Sequence, residues 1–372
     1  MNSTVRDQYP RKHLAVMGIK GLPAKGGGER VAEAIIDAAL ANDYRVTLYA
    51  KKSYLQENNL PKYFEIIPIH DLPGKHLSAF SFGLLSALHA LFRRNYDLIH
   101  LHYADFGYIV PLLRLRYKVL GTSHGAEYHR DKWGRIAKWF FQLFEIPFVR
   151  LTNVCTSVSK SLAEYYSRKY GKDVLYIPNG INPYRAQGAN MSGKFSLPPD
   201  YILFCAGRII PSKGCDLLME ANRRLGLKVP VVIIGDMEGD VAYKKCLLEL
   251  AEPNIIFLNF ISSKDELFEL IRNCRFFVFP SIYEAMSMIL LEVTSLKKGI
   301  VCSDIPENVE AIGPNAVYFA SASINDLQEK LEYALSYPEK MTQMAEASYS
   351  WVMQHRQWQE ITKSYLELYE GL

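Results

Sequence analysis

One local pattern occurs twice along the chain: a short apolar strand, a glycine-bearing turn that carries cations, and then a helix. The first copy runs from Leu14-Ala-Val-Met17 through a glycine loop into a helix expected near Glu29 to Ala41, followed by a strand at Arg45 to Tyr49. The second runs from Ile202-Leu-Phe-Cys205 into a helix expected over Asp216 to Leu225, then to Val231-Val-Ile-Ile234. Strands this apolar, entered and left through helices, belong in parallel sheets covered on both faces. Further strands are expected at Leu98 to His102, Tyr117 to Ser123, Phe276 to Phe279 and Ile300 to Cys302, and further helices at Lys264 to Arg272 and Met286 to Leu296. The fold class expected is therefore α/β, with two doubly wound Rossmann-like domains facing across a cleft. The weakly periodic stretch Asn182 to Pro199, opened by the turn signal Ile177-Pro-Asn-Gly-Ile-Asn182, reads as the hinge. It places an N-terminal domain at 1–183, a C-terminal domain at 184–350 and an amphipathic C-terminal helix at 351–372 with Trp358, Tyr365 and Tyr369.

Composition enters by exclusion. With 372 residues, 49% of them hydrophobic and 22% charged, a disordered or collagen-like chain is ruled out and two separate cores are affordable. The six cysteines form no C-x-x-C pair and read as reduced core thiols. The N-terminus lacks the apolar core of a secretory signal, which points to the cytoplasm. The uncharged run His76 to Phe92 is too short for a bilayer span and reads as a buried helix. Charge is divided unevenly: up to Pro183 there are 25 Lys and Arg against 15 Asp and Glu, and beyond it 18 against 24. The excess is concentrated in Arg130 to Phe144, where cations interleave with Trp133, Trp139, Phe140 and Phe144 at helical spacing. Such a helix fits an anionic membrane surface, its plainer reading being a solvated cationic face over a core aromatic one. No recognition-helix or strand-binding pattern accompanies the charge, so nucleic acid is not an expected partner.

Three motifs carry chemistry. In Gly18-Ile-Lys-Gly-Leu-Pro-Ala-Lys-Gly26-Gly27-Gly28-Glu29 the glycines precede a helix, where backbone N–H groups and the helix dipole can meet an anion. The spacing matches neither the dinucleotide fingerprint nor the P-loop. Ala206-Gly207-Arg208-Ile-Ile-Pro-Ser-Lys213-Gly214 occupies the equivalent place in the second half, and its two cations suit a diphosphate. Pro280-Ser-Ile-Tyr-Glu284-Ala-Met-Ser-Met-Ile-Leu-Leu-Glu292 puts two carboxylates around an expected helix start, about 12 Å apart if both lie on the helix. That separation rules out an acid–base dyad and suits the two ends of one extended ligand.

Taken together, these motifs resemble the retaining glycosyltransferases of family 4, which have the GT-B fold, over nearly the whole chain. The E-x7-E pair Glu284 and Glu292, the A-G-R-x4-K-G loop of Arg208 and Lys213, Val232-Ile-Ile-Gly-Asp236 and the I-P-N-G-I-N hinge fall in that family's order. The N-terminal glycine loop and Ser123-His-Gly-Ala-Glu-Tyr-His-Arg-Asp-Lys-Trp133 also look like a subgroup that includes rhamnosyltransferases of polysaccharide assembly. The resemblance implies that Arg208 and Lys213, helped by Gly27 and Gly28, hold the donor diphosphate, and that Glu292 binds the ribose. It implies that Glu284 and His124 act at the donor sugar, with main-chain groups of Ala285, Met286, Ser287 and Met288. Main chain near Phe260 and Ile261 would meet the base, while His102 and Glu127 would lie on the acceptor side. His100 and His102 alternate along one strand, and His102 is taken as the one that reaches the site. In relatives of this fold the last helix crosses back to the first domain. The chain departs from the family's pattern at Ala285 and Ser287, where glycines are usual.

The implied reaction moves a sugar, with retention, from a nucleotide diphosphate sugar, UDP- or dTDP-linked, to a hydroxyl of a lipid-linked saccharide. Peripheral attachment to the inner membrane face is expected with it. No D-x-D occurs, so neither a metal nor any other cofactor is expected, and the two cations would stabilise the departing diphosphate. A non-catalytic nucleotide-sugar-binding module and a GT-B sugar-nucleotide epimerase are the alternatives.

Overall fold

The computed structural model describes residues 12–24, 26–55, 63–74, 77–126, 134–184, 195 and 197–372. The chain divides into two compact units, Met1–Pro178 with Gln359–Leu372, and Asn179–Trp358. The first boundary thus precedes the expected one at Pro183, because Asn179 and Ile181 bond within the second unit: Asn179 N to Met286 Sδ and Ile181 N to the Arg356 carbonyl at 2.7 Å.

In the first unit seven strands, β1 (His13–Met17), β2 (Arg45–Lys51), β3 (Glu65–Ile69), β4 (Leu98–His102), β5 (Lys118–Ser123), β6 (Val154–Ser157) and β7 (Val174–Tyr176), form one sheet. Its order is β3-β2-β1-β4-β5-β6-β7 and all of its pairings are parallel. The second unit holds β8 (Ile202–Arg208), β9 (Val231–Asp236), β10 (Ile255–Leu258), β11 (Phe276–Phe279), β12 (Ile300–Ser303) and β13 (Val317–Phe319). Their order is β10-β9-β8-β11-β12-β13, again parallel. Strands β3, β6, β7, β10 and β13 were not named from the sequence. They are short or lie toward a sheet edge, where the apolar pattern is weakest.

The central strands show why this fold forms. Val231, Val232, Ile233 and Ile234 are all buried, odd and even positions alike, as two helical layers require. Each such side chain contributes roughly 1.5–3 kcal/mol relative to exposure. In both sheets the chain starts at the middle, winds to one edge, and returns to wind to the other. This creates a reversal point between β1 and β4 and another between β8 and β11, and loops leaving the carboxyl ends of those strands are splayed apart to make room for ligands.

Three sequence readings need correction. The uncharged run is the helix Leu77–Arg93, but only one face is buried, through Phe82, Ala87 and Ala90; Leu77, Phe80, Leu85 and Phe92 are exposed. The tail is not one helix: Pro338–His355 ends before a break, and Trp358–Glu370 follows. Five cysteines are buried, whereas Cys246 is exposed.

Candidate active site

At the second reversal point, two loops are bound to each other. Ile282 N donates to the Ser212 carbonyl at 2.9 Å, and Gly214, with φ +65°, lies so close to the Pro280 carbonyl that a Cβ would collide with it. This closeness joins Lys213, on the loop after β8, to Glu284, on the loop after β11, in a direct ion pair. Ser281 Oγ lies 2.7 Å from the same Glu284 oxygen and 3.0 Å from the Ser212 carbonyl. Its single proton serves one of them at a time. Lys213 also sits 5.6 Å over the Phe279 ring.

Arg208 differs from Lys213. It is the last residue of β8 rather than a loop residue, paired in register with Asp236, and its side chain is exposed. Among the described residues it has no ion-pair or hydrogen-bond partner, so its guanidinium is available to an anion. Phe260, also exposed, is the side chain nearest to where a Cβ on Gly207 would stand, which puts an aromatic ring beside the Arg208 strand end. Ile261 is half-buried next to it.

The helix after Glu284 begins later than expected, at Met288, so Glu284 lies four residues ahead of it and Glu292 on its second turn. The 12 Å separation along a common axis therefore does not apply. Ser287 is the N-cap but its side chain bonds to no backbone N–H, which leaves the helix start uncapped by a side chain. Ala285 and Met286 lie in the loop; Met286 is buried and its carbonyl accepts from Asn179 Nδ2 at 3.5 Å. Glu292 is buried with Lys264 Nζ at 3.8 Å, a cation that the sequence reading did not single out. A buried carboxylate retains its charge only with such partners.

The first reversal point groups imidazoles and a tyrosine, with a carboxylate at its helix start. Gly18, with φ +93°, ends β1 against the His102 carbonyl, where no side chain fits. Gly28 faces the Tyr103 hydroxyl, and Glu29 folds its carboxylate back beside Gly26 at the start of the helix Gly27–Ala41. Gly28 thus has a packing role, and an anion at this helix start would meet the Glu29 charge; Gly27 remains exposed. Tyr103 was not found from sequence. It is a non-glycine residue at φ +68°, its ring 4.7 Å from that of His124, and backbone strain of this kind concentrates at ligand sites.

His100 and His102 lie two apart on β4 and so share a face; their rings stack at 4.2 Å. Of the two, His102 is the one in contact with His124, and His100 stacks behind it. His102 Nδ1 is 2.8 Å from His124 Nε2. Burial pushes His100 and His124 down to about 3, and it carries His102 well below its ordinary value with help from the two neighbouring imidazoles. All three are neutral at physiological pH. Glu127 lies outside the described residues, as do Arg130 to Trp133. Among the described residues no three His, Cys, Asp or Glu side chains are grouped to hold a metal ion.

This pairing of a basic, glycine-flanked strand end with an E-x7-E loop can be compared with known proteins. Residues 25–185 match the family described as Glycosyltransferase Family 4, and residues 190–351 match Glycosyl transferases group 1. The chain belongs to the family-4 glycosyltransferases. A D-inositol 3-phosphate glycosyltransferase of Streptomyces bingchenggensis is 24% identical over 65% of this chain and 59% of its own length. A Campylobacter jejuni N,N'-diacetylbacillosaminyl-diphospho-undecaprenol alpha-1,3-N-acetylgalactosaminyltransferase is 25% identical over 45% of this chain and 44% of its own. The matched segments thus span about half the length of these curated relatives. Sucrose-phosphate synthase from Thermosynechococcus elongatus superposes with a TM-score of 0.81 at 18% identity, covering 97% of this chain and 99% of that one. Anabaena HepE in complex with UDP-glucose gives 0.77 at 15% identity, covering 97% and 100%. These likenesses establish the GT-B class of two Rossmann-like domains.

One surface of the first unit is apolar and exposed. The helix Arg135–Leu151 exposes Ile136, Trp139, Phe140 and Leu143, with Trp139 58% exposed. The ring contacts continue from Trp139 to Phe140 (5.1 Å), Phe140 to Phe144 (6.0 Å), Phe144 to Tyr108 (4.8 Å) and Tyr108 to Phe80 (4.7 Å). Trp139 and Phe140 are thus not core residues, and the apolar face extends onto the helix Leu77–Arg93. Among the described residues no helix is long and apolar enough to cross a membrane.

Proposed function

We propose that this chain is a retaining, metal-independent glycosyltransferase that moves a sugar from a UDP- or dTDP-linked donor to a hydroxyl of a lipid-linked saccharide in polysaccharide or glycolipid assembly. The observation that carries the reading is the ion pair of Lys213 with Glu284 at the second reversal point, where α/β sheets bind ligands, with the exposed Arg208 ending the strand that leads into the same loop. Arg208 offers a free fork to the diphosphate. Lys213 is held by Glu284 until a phosphate competes for it. The uncapped helix start at Ser287 and Met288 adds partial positive charge, Glu292 takes the ribose hydroxyls, and main chain near Phe260 and Ile261 meets the base. The structural neighbour HepE, crystallised with UDP-glucose, supports the donor class.

In this reading the bond from the anomeric carbon to the β-phosphate oxygen breaks, and the acceptor hydroxyl forms the new glycosidic bond on the same face. The acceptor proton passes to a leaving phosphate oxygen. Arg208 and the released Lys213 would stabilise the charge of the departing diphosphate. His124, neutral, orients the donor sugar by hydrogen bonding, and His102 and Glu127 lie toward the acceptor.

The acceptor class is supported by the Campylobacter relative, named for a diphospho-undecaprenol substrate, and by the exposed aromatic face. We assign that face, with Arg135 and Lys138 on the same helix, to shallow insertion in an anionic membrane at the cytoplasmic side.

Titration calorimetry with UDP and dTDP, with and without Mg²⁺, tests the donor site. Binding that ignores the metal and is lost in Arg208→Ala and Glu292→Ala is expected. Binding indifferent to both substitutions would sink the assignment.

A further inference from the structure

Behind the His124 wall lies a hydrogen-bond chain whose proton positions can be worked out from its end. With the single Thr156 proton given to the Gly121 carbonyl, which only accepts and lies 3.3 Å from Thr156 Oγ1, the rest of the run is fixed. Thr122 Oγ1, 2.7 Å from Thr156 Oγ1, then donates to it and has only lone pairs for His100 Nε2, also at 2.7 Å. His100 is neutral and carries its one proton on Nε2, which leaves Nδ1 as the acceptor of the Tyr369 hydroxyl at 2.6 Å. The run therefore goes one way, from Tyr369 through His100, Thr122 and Thr156 to Gly121.

His102 stacks on His100, and its Nε2 is buried without a hydrogen-bond partner among the described residues. An orphaned buried N–H is rarer and costlier than an orphaned lone pair. The His102 proton accordingly sits on Nδ1 and is donated to His124 Nε2, and His124 carries its own proton on Nδ1. That N–H is the single donor that a neutral His124 can offer a ligand.

We infer that Tyr369, in the last helix of the chain, is a positioning residue for this site: its hydroxyl locks His100, the His100 ring sets the plane of His102, and His102 presents His124 as an Nδ1–H donor. Tyr369 is itself anchored, since Lys12 Nζ donates to its carbonyl at 3.0 Å and the adjacent Glu370 accepts from Tyr44. The C-terminal helix thereby belongs to the working parts of the first unit, not only to its packing. The inference rests on the proposed role of His124 at the donor sugar.

The test uses the full chain labelled with ¹⁵N-histidine, whose ring nitrogens report protonated and bare states separately. The wild type is expected to show His100 as Nε2–H, and His102 and His124 as Nδ1–H. Tyr369→Phe should keep the His100 tautomer but shift its Nδ1 signal and those of His102 and His124. Thr122→Val should flip His100 to Nδ1–H, because the Tyr369 oxygen is then its remaining partner. A wild-type His100 protonated on Nδ1, or a Tyr369→Phe spectrum with His102 and His124 unmoved, would overturn the inference. In the kinetic arm, donor consumption is followed with UDP-glucose, UDP-N-acetylgalactosamine and dTDP-rhamnose. On the donor that turns over, Tyr369→Phe should lower kcat roughly ten-fold with donor KM held. Unchanged kcat in that variant, with His124→Ala inactive, also counts against the inference. Full activity of His124→Ala with the tautomer pattern intact instead defeats the His124 role and leaves the network standing.

Discussion

The two reversal points use the same backbone device for opposite electrostatics. In both, a loop after the first strand of the sheet is held tightly against the carboxyl end of the neighbouring strand: Gly18 against the carbonyl of His102, the last residue of β4, and Gly214 against that of Pro280, the residue after β11. At the first point the side chains that converge are a tyrosine and imidazoles kept neutral by burial of the rings. At the second they are an exposed arginine, a lysine and carboxylates. Topology thus makes the crevice, and the residues beside it decide whether it senses a charge or a shape. A diphosphate needs cations already in place, whereas a sugar hydroxyl needs directed, uncharged donors and acceptors.

That contrast can be broken experimentally. The largest effect is expected from Arg208→Ala, which should weaken UDP binding about 100-fold or more through the loss of a charge-assisted fork, while added salt weakens the wild type in the same direction. Calorimetry over a salt series checks it, and an affinity within a factor of three of wild type would remove the charge argument. Next comes Gly18→Ala, expected to destabilise the first unit by at least ~2 kcal/mol, since the new Cβ meets a carbonyl at a left-handed φ. Urea unfolding that is unchanged would show that the approach relaxes freely.

Glu284→Gln sharpens the comparison from the charged side. It releases Lys213, so UDP affinity should rise roughly ten-fold even as turnover falls. Weaker binding would mean that Glu284 serves the nucleotide directly. The neutral side makes a pH prediction. Histidines whose folded pKa is about 3 against an ordinary 6.5 bind fewer protons than the unfolded chain, so stability is full above 6.5 and declines as pH falls. Each contributes a slope of about 1.4 kcal/mol per pH unit below that value. Scanning calorimetry from neutral to acid pH should show a flatter profile for His124→Asn than for the wild type. The smallest effect on folding, within about 0.5 kcal/mol, is expected for Trp139→Ser with Phe140→Ser. The same variant should lose sedimentation with anionic liposomes, and retained sedimentation would take the membrane assignment away.

Legibility in the sequence followed distance along the chain. Arg208 and Lys213 could be placed at a strand end because the strand, the glycines and the cations are consecutive. The pairing of Lys213 with Glu284 spans 71 residues and depends on two loops meeting. The contact of His100 with Tyr369 spans 269, and nothing in the local pattern of either residue indicates it. Tyr103 was missed because a positive φ is invisible in a tyrosine, while Gly18 and Gly214 were visible because glycine advertises that conformation. The helix expected from Met286 starts at Met288 for a related reason: Glu284 to Ser287 are compatible with helix, but the contacts of Glu284 with Lys213 and of Met286 with Asn179 hold them as a loop.

By itself the sequence determined the two parallel sheets, the position of the cation-bearing loop in the second, and the family that those motifs match. Those properties follow from the order of apolar runs and glycines, which act over a few residues. Only the tertiary structure decided which charges neutralise one another, which histidines share a face, and that the end of the chain holds a histidine near its first quarter. Such facts arise where strands wound in opposite directions bring their carboxyl ends together, and no short-range pattern encodes that meeting.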